Sequence, residues 1–496
     1  MSWDNLRFLL PEVILVVTGF LVVLAGLFIE EGSEAAPDSE SAGRFTAGLG
    51  LLGTAASGLS LFLFVAPTRS TLALFSGAFV LDHFALYFQA LLLIFAFVTI
   101  LLGFRFGARF KPHQSEFIGL ILLATVGGMF MASAREMIQL YVSLETLSIA
   151  LYVMAAFNKQ ERLSAEAGFK YLVVGAASSA VLLYGLAILY GLTGRTDLYA
   201  VAQEIAAQGG NSPALMLATV FVIGGLSFKI AAVPFHQWVP DVYQGSPTPV
   251  TAFVSVSSKA AGYALLVRVL TSALLPVAPR WGVYLAITAA LTMTVGNVSA
   301  LGQTSLKRLL GYSSIAQAGY LMLGLVALSA GGDAARVGLT GLLFYLLVYG
   351  LTNLAAFAAV EAAEAGLGGD DVAVYAGLAQ RAPGLALILS LCLVSLTGIP
   401  PLIGFFAKLF VFTAAIQAGY PWLVVVALAN SALSSVYYLR FVRAMYYDEG
   451  RETRRFSVPW SIWAVLGIGV VAMLPLVLIG GQALSLAQKA AAAILR

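Results

Sequence analysis

Cysteine, histidine and charge are all scarce in this chain. Of 496 residues one is cysteine, Cys392, which excludes an intrachain disulfide framework and any iron–sulfur cluster held wholly by this chain's own thiolates. The three histidines, His83, His113 and His236, lie far apart, and no HExxH, CxxC or Walker sequence accompanies them, so no metal or nucleotide site is legible. If the protein takes part in redox chemistry, other chains carry the cofactors. Only 10% of residues are charged, with a net charge of +3 and no long run of one sign, which excludes nucleic acid as a partner. Long polar connections are also missing. The acidic stretch from Glu30 to Arg44 is among the longest, so there is no soluble domain. One dinucleotide-type pattern, Gly48-Leu49-Gly50-Leu51-Leu52-Gly53, lies in an apolar stretch with no strand before it; it reads as close helix packing.

What the chain has in abundance is apolar sequence: 60% of residues are hydrophobic, with a mean hydropathy of +0.92. It reads as an all-α polytopic membrane protein. A span needs about 20 apolar residues at 1.5 Å each, and runs of that kind fall near 11–29, 45–66, 83–103, 117–133, 138–157, 171–191, 214–233, 249–274, 281–302, 312–330, 337–360, 384–413, 421–443 and 461–482, fourteen in all. The first run is followed by Glu30, Glu31 and Glu34 instead of a small-residue cleavage site, so it reads as a retained span. Setting aside three intramembrane lysines, the other 24 of the 27 Lys and Arg divide 15 to 9 in favour of the side opposite the N-terminus. Positive charge collects in the cytoplasm, which places both termini on the non-cytoplasmic side.

Four ionisable residues stand inside these apolar runs: Glu145, Lys229, Lys259 and Lys408. A charge at the bilayer centre costs roughly 2.5–3.5 kcal/mol even on the lenient insertion scale, and such residues mark ion or proton pathways. A structural carboxyl or a snorkelling lysine is the bland alternative. Glu145 is the lone charge of its segment, and Lys229 is its candidate partner. A lysine suits such a role because burial readily moves it between charged and neutral forms. Lys259 is flanked by Ser255, Ser257 and Ser258 and reads as a relay. Lys408 follows Gly398, Pro400 and Pro401 by about two helical turns and reads as a terminal site beside unwound backbone. Gly225 to Lys229 and Gly404 to Lys408 both read G-x-x-x-K beside helix breakers, five segments apart; an odd offset makes the two copies inverted. Gln303, Tyr312, Gln317 and Tyr320 read as a passive lining between lysines. Arg268 reads as snorkelling, and Lys170, Lys307 and Arg308 as topology signals. His236 and Asp241 carry no assigned role.

The stretches LETLSIALYVMAAF, FKYLVVGAASSAVLLYGLAILYG, FKIAAVPFHQWVPDVYQGSPTPVTAF, KRLLGYSSIAQAGY and TGIPPLIGFFAKLFVF closely resemble the subunit N family of proton-pumping NADH:quinone oxidoreductase, respiratory complex I, within the wider antiporter-like group shared with Mrp sodium/proton antiporters. The resemblance implies fourteen helices with two inverted five-helix repeats, 117–274 and 281–443. It makes Glu145 and Lys229 a coupling pair, Lys259 the central relay and Lys408 the site exchanging with the far side; subunit M is similar in plan but has a glutamate at that last site. The resemblance also implies a bacterial inner-membrane location, a neighbouring antiporter-like subunit among other membrane partners, and quinone, NADH, flavin and iron–sulfur clusters on other subunits, with no cofactor in this chain. Many relatives have histidine where this chain has Gln317, which argues against a titrating group there. The competing readings are a stand-alone or Mrp-type cation/proton antiporter and a non-transporting membrane scaffold.

Overall fold

In the computed structural model, which describes residues 7–30, 39–66, 71–104, 113–450, 456–473 and 481–495, the apolar runs form helices. A chain segment in hydrocarbon must satisfy its own backbone groups, and the α-helix does so within one segment. In chain order they are α1 (Leu10–Glu30), α2 (Ser39–Ser60), α3 (His83–Leu102), α4 (Gln114–Ala132), α5 (Met137–Ala155), α6 (Arg162–Thr193), α7 (Leu198–Ala207), α8 (Pro213–Ile230) and α9 (Trp238–Gly245). Then come α10 (Thr248–Ser272), α11 (Ala278–Leu301), α12 (Leu306–Leu328), α13 (Gly332–Leu367), α14 (Pro383–Thr397), α15 (Ile403–Gln417), α16 (Pro421–Tyr447), α17 (Trp460–Met473) and α18 (Gly481–Ile494). The protein is an all-helical membrane protein, and among the described residues 12 helices are long and apolar enough to cross a membrane. A hairpin of two short strands, β1 (Leu72–Leu74) and β2 (Phe79–Leu81), paired antiparallel with Leu72 opposite Leu81, precedes α3.

Two of the fourteen runs differ from expectation. The run at 384–413 is not one helix: α14 and α15 are separate short helices on either side of an interruption at Gly398–Leu402. The run at 461–482 is helical as far as Met473, and residues 474–480 lie outside the described residues.

The axis of the bundle is α10, buried along its length, with α12 and α13 nearly as enclosed. Small residues set the closest approaches. A Cβ at Gly296 of α11 would press on the Ala316 backbone of α12, and one at Gly319 would press back on Met293; Gly185 of α6 and Gly225 of α8 make the same reciprocal contact with Val222 and Leu182. Without a hydrophobic drive between helices in lipid, such close packing is a main source of association.

One buried ion pair joins the early helices to the axis. Asp82 caps α3 by accepting from the Ala85 amide at 2.8 Å, and Arg268 of α10 grips both of its carboxylate oxygens at 2.6 Å. The guanidinium also donates to the Ala132 carbonyl at 2.9 Å and lies over the Phe84 ring. Arg268 therefore does not snorkel, as its nearness to the segment end suggested; it is 2% exposed because its full set of partners lies within the bundle. Removing one partner of such a pair leaves the other charge uncompensated. Asp82→Ala is thus expected to cost about 3–5 kcal/mol, and the double change Asp82→Leu/Arg268→Met to recover most of it. Thermal unfolding in detergent checks this, and an equal loss in the single and double variants would contradict it.

Candidate functional site

Lys229 is 1% exposed and sits in the last turn of α8. The helix ends there because Ala231 takes a left-handed conformation, φ 64°, and the chain stays unwound until α9 begins at Trp238. A Thr292 hydroxyl from α11 accepts from the half-buried Val233 amide at 3.0 Å, so the break is built in. Glu145 on α5 is partly buried and accepts from the Ser179 hydroxyl of α6 at 2.5 Å. Its carboxylate acts electrostatically on Lys229, yet the lysine Nζ has no hydrogen-bond partner among the described residues; it faces the rings of Tyr152, Tyr171 and Phe228 at 5.4–5.8 Å.

Against Lys229 packs α10, with Gly262 on the lysine Cβ and the Ser258 hydroxyl 3.5 Å from the Lys229 carbonyl. A π turn, Val254–Ser258, interrupts α10 immediately before Lys259. Such single-turn irregularities occur often at functional sites. Lys259, 2% exposed, donates to the Ser314 hydroxyl of α12 at 2.7 Å and also to the Ser314 carbonyl. The same hydroxyl accepts from Tyr349 at 2.9 Å and pairs with Tyr243 at 2.9 Å. A hydroxyl has two acceptor sites and one donor. With Lys259 and Tyr349 filling the acceptor sites, Ser314 gives its own proton to Tyr243.

From Ser314 the polar face of α12 continues through Gln317 to Tyr320, six residues or about 9 Å of helix. Gln317 is pinned at both ends, donating to the Leu396 carbonyl at 2.9 Å and accepting from Tyr345. The Tyr320 hydroxyl accepts from Asn297 at 3.1 Å, and its ring lies 4.3 Å from Lys408 Nζ. Lys408 on α15 donates to the Thr397 carbonyl at 2.8 Å and the Ser431 hydroxyl at 3.0 Å. This is the C-terminal end of α14, where unpaired carbonyls and the helix dipole favour a cation.

The structure therefore brings Lys259 and Lys408 to opposite ends of one polar face, packs Lys229 against Ser258 and Gly262 on the α10 turn that carries Lys259, and keeps Glu145 out of direct contact with Lys229. Tyr312 and Gln303 do not lie between lysines. Tyr312 faces the Arg308 guanidinium at 5.9 Å, and Gln303 sits at the end of α11, donating to Ser299 and accepting from Arg440 on its carbonyl.

Several participants were not foreseen from sequence. Asp241, whose role the sequence left open, accepts at 2.6 Å from both Lys170 of α6 and Arg308 of α12, and Lys170 also reaches Glu166 at 2.7 Å. These two cations are thus ion-paired as well as being topology signals. Lys307 likewise donates to the Ser246 carbonyl at 2.9 Å and lies 3.5 Å from Glu364. Glu12 of α1, 2% exposed, accepts from Gln89 at 2.8 Å; its only sequence signal is a lone acid just inside the first apolar run.

Residues 134–434, which hold Glu145, Lys229, Lys259 and Lys408, match the family of NADH:quinone oxidoreductase and Mrp antiporter transmembrane subunits. The chain belongs to that family. Among its relatives is an NAD(P)H-quinone oxidoreductase subunit 2 of Thermosynechococcus vestitus, 45% identical over 478 residues, which span 94% of this chain and 88% of that one. Among solved structures, a chain of respiratory complex I from Thermus thermophilus is 34% identical with a TM-score of 0.78 over 96% of this chain and 99% of that one. A chain of the Mrp complex from Dietzia sp. has the same fold, with a TM-score of 0.81 over 99% of this chain and 97% of that one, at 23% identity. The protein is an antiporter-like, multi-pass member of this family.

The seat of Lys408 depends on one glycine. Gly398 has φ 87°, and an added Cβ would meet the Lys408 Cδ at 2.9 Å. Gly398→Ala is expected to strain the backbone by roughly 1–2 kcal/mol and to push the ammonium off Thr397. Lowered thermal stability together with loss of the Lys408–Ser431 contact in a variant structure checks this.

Proposed function

We propose that this chain is a proton-translocating membrane subunit of an NADH:quinone oxidoreductase, respiratory complex I, of the subunit N type. The reading rests above all on the buried polar row that runs from Lys229 past Lys259 and along α12 to Lys408, inside helices that are otherwise apolar. Its relatives from quinone oxidoreductases support the assignment over a stand-alone antiporter, since the identity to them, 45% and 34%, exceeds the 23% to the Mrp chain. Other subunits carry NADH, flavin, iron–sulfur clusters and quinone, and a neighbouring antiporter-like subunit is among the membrane partners.

In this reading Glu145 and Lys229 are the coupling pair, Lys259 is the relay and Lys408 exchanges protons with the far side. The Ser314 hydroxyl makes the relay switchable. While Lys259 is charged, the hydroxyl points its proton to Tyr243; when Lys259 is neutral the amine can accept, and the hydroxyl can turn towards it with Tyr243 donating in its place. One proton's departure thus reverses a hydrogen-bonded chain. If α14 and α15 count as one interrupted span and α17 as another, the twelve long spans become fourteen, arranged as inverted repeats over 117–274 and 281–443. The charge bias puts both termini on the non-cytoplasmic side of the bacterial inner membrane.

Two experiments test the assignment. Lys229→Ala is expected to abolish most proton pumping coupled to quinone reduction in reconstituted vesicles, and Lys229→Arg to impair it as well because arginine cannot release its proton; unchanged pumping in the alanine variant would remove Lys229 from the path. For Lys408, glutamate is expected to be tolerated better than leucine, since a carboxyl still titrates whereas leucine interrupts the wire. Protons pumped per quinone reduced, at matched assembly levels, decide the order, and wild-type pumping with leucine would exclude Lys408.

A further inference from the structure

The contacts of Lys229 differ from those of the other two lysines. Lys259 and Lys408 each hold two oxygen acceptors, whereas Lys229 holds none among the described residues. Its Nζ lies 5.6 Å from the Tyr152 ring, 5.8 Å from Tyr171 and 5.4 Å from Phe228, all within the range at which a ring face attracts a cation. The rings fix one another: Tyr152 meets Tyr171 edge-on at 4.8 Å, and Tyr171 stacks on Trp238 at 4.3 Å.

The wall on the Glu145 side follows from helix periodicity. On α6, Tyr171, Gly175 and Ser179 stand four residues apart and so share one face; on α5, Glu145 and Tyr152 stand seven apart, two turns along one face. Ser179 donates to Glu145, and one turn back the missing side chain of Gly175 leaves room for the Tyr152 ring. A Cβ there would overlap the Tyr152 hydroxyl and Cζ. The next turn brings Tyr171 to Lys229. The carboxylate and the ammonium thus stand at two ends of a two-helix groove, with the Tyr152 ring within reach of the ammonium.

We infer that Tyr152, Tyr171 and Phe228 form an aromatic box that positions the Lys229 ammonium and holds it off the Glu145 carboxylate, with Tyr152, seated on Gly175, as the wall between them. This rests on the role given to Lys229 above and adds the positioning residues. The box stabilises the charged lysine without locking it into a contact ion pair, so Glu145 influences Lys229 through space and either charge can change without breaking a short bond. The titratable groups facing Lys229 are Glu145 and Tyr152 from α5 and Tyr171 from α6; α10 presents Gly262 and Ser258, and Phe228 and Trp238 complete the surround.

The test is the pH dependence of protons pumped per quinone reduced by the whole complex in proteoliposomes. Removing a ring weakens the charged form of Lys229, so the alkaline limb of the profile is expected to move down by roughly 0.5–1.5 pH units in Tyr152→Leu and in Phe228→Leu. Gly175→Ala, which displaces Tyr152 without altering it, is expected to shift the limb in the same direction. Tyr152→Phe keeps the ring and is expected to restore the wild-type profile. If the leucine and alanine variants lower pumping with the limb unmoved, the box is overturned and the rings are only packing. Failure of the underlying reading shows up separately, as normal pumping in Lys229→Ala.

Discussion

A polar group inside this bundle has no bulk water to turn to, so each backbone amide, hydroxyl and charge must find its partner within the protein or forfeit several kcal/mol. The rest of the architecture follows from that constraint. It makes the apolar runs helical. It also requires each place where a helix stops midway to be met by a side chain from elsewhere: Thr292 at the break after α8, Gln317 and Lys408 at the C-terminal end of α14. Lys229 and Lys408 sit at those interruptions. At the end of α14, free carbonyls and a negative dipole make Lys408 tolerable at a depth where it would otherwise be expelled.

The same constraint explains why hydroxyls and amides fill the space between the lysines. Ser314 serves Lys259, Tyr349 and Tyr243 at once, and Asn297 joins Tyr320, Tyr437 and Asn430. Such networks are favourable when every member is satisfied and costly when one is not. A substitution in the row is therefore felt several residues away.

The helices and the four intramembrane charges were legible in the sequence because each is a local signal: a run of apolar residues, an isolated Glu145 or Lys259 within one, or Gly398, Pro400 and Pro401 beside Lys408. What escaped notice depends on partners far apart in the chain. Arg268 looked like a snorkelling residue because its acceptor, Asp82, lies 186 residues away. Asp241 looked idle because Lys170 and Arg308 come from helices on either side of it in sequence. The π turn before Lys259 has no residue signature, since the serines there would fit an α-helix as well. The aromatic surround of Lys229 was hidden for a related reason: Tyr152, Tyr171 and Phe228 come from three helices and meet around the lysine only when α5, α6 and α8 are packed together.

The two carboxylate clamps that tie distant helices together differ in their access to solvent. Asp82 and Arg268 are sealed, at 4% and 2% exposure, whereas Asp241, Arg308 and Lys170 are 27–41% exposed. Mobile ions screen exposed charges within about 8–10 Å at physiological strength but hardly reach buried ones. Salt therefore acts on the Asp241 clamp and hardly on the Asp82 clamp. Raising ionic strength slackens the junction of α6, α9 and α12 while the grip of α10 on α3 stays as it was, so the segment that follows the Lys229 break feels the composition of the surrounding electrolyte in a way that the junction of α10 with α3 does not.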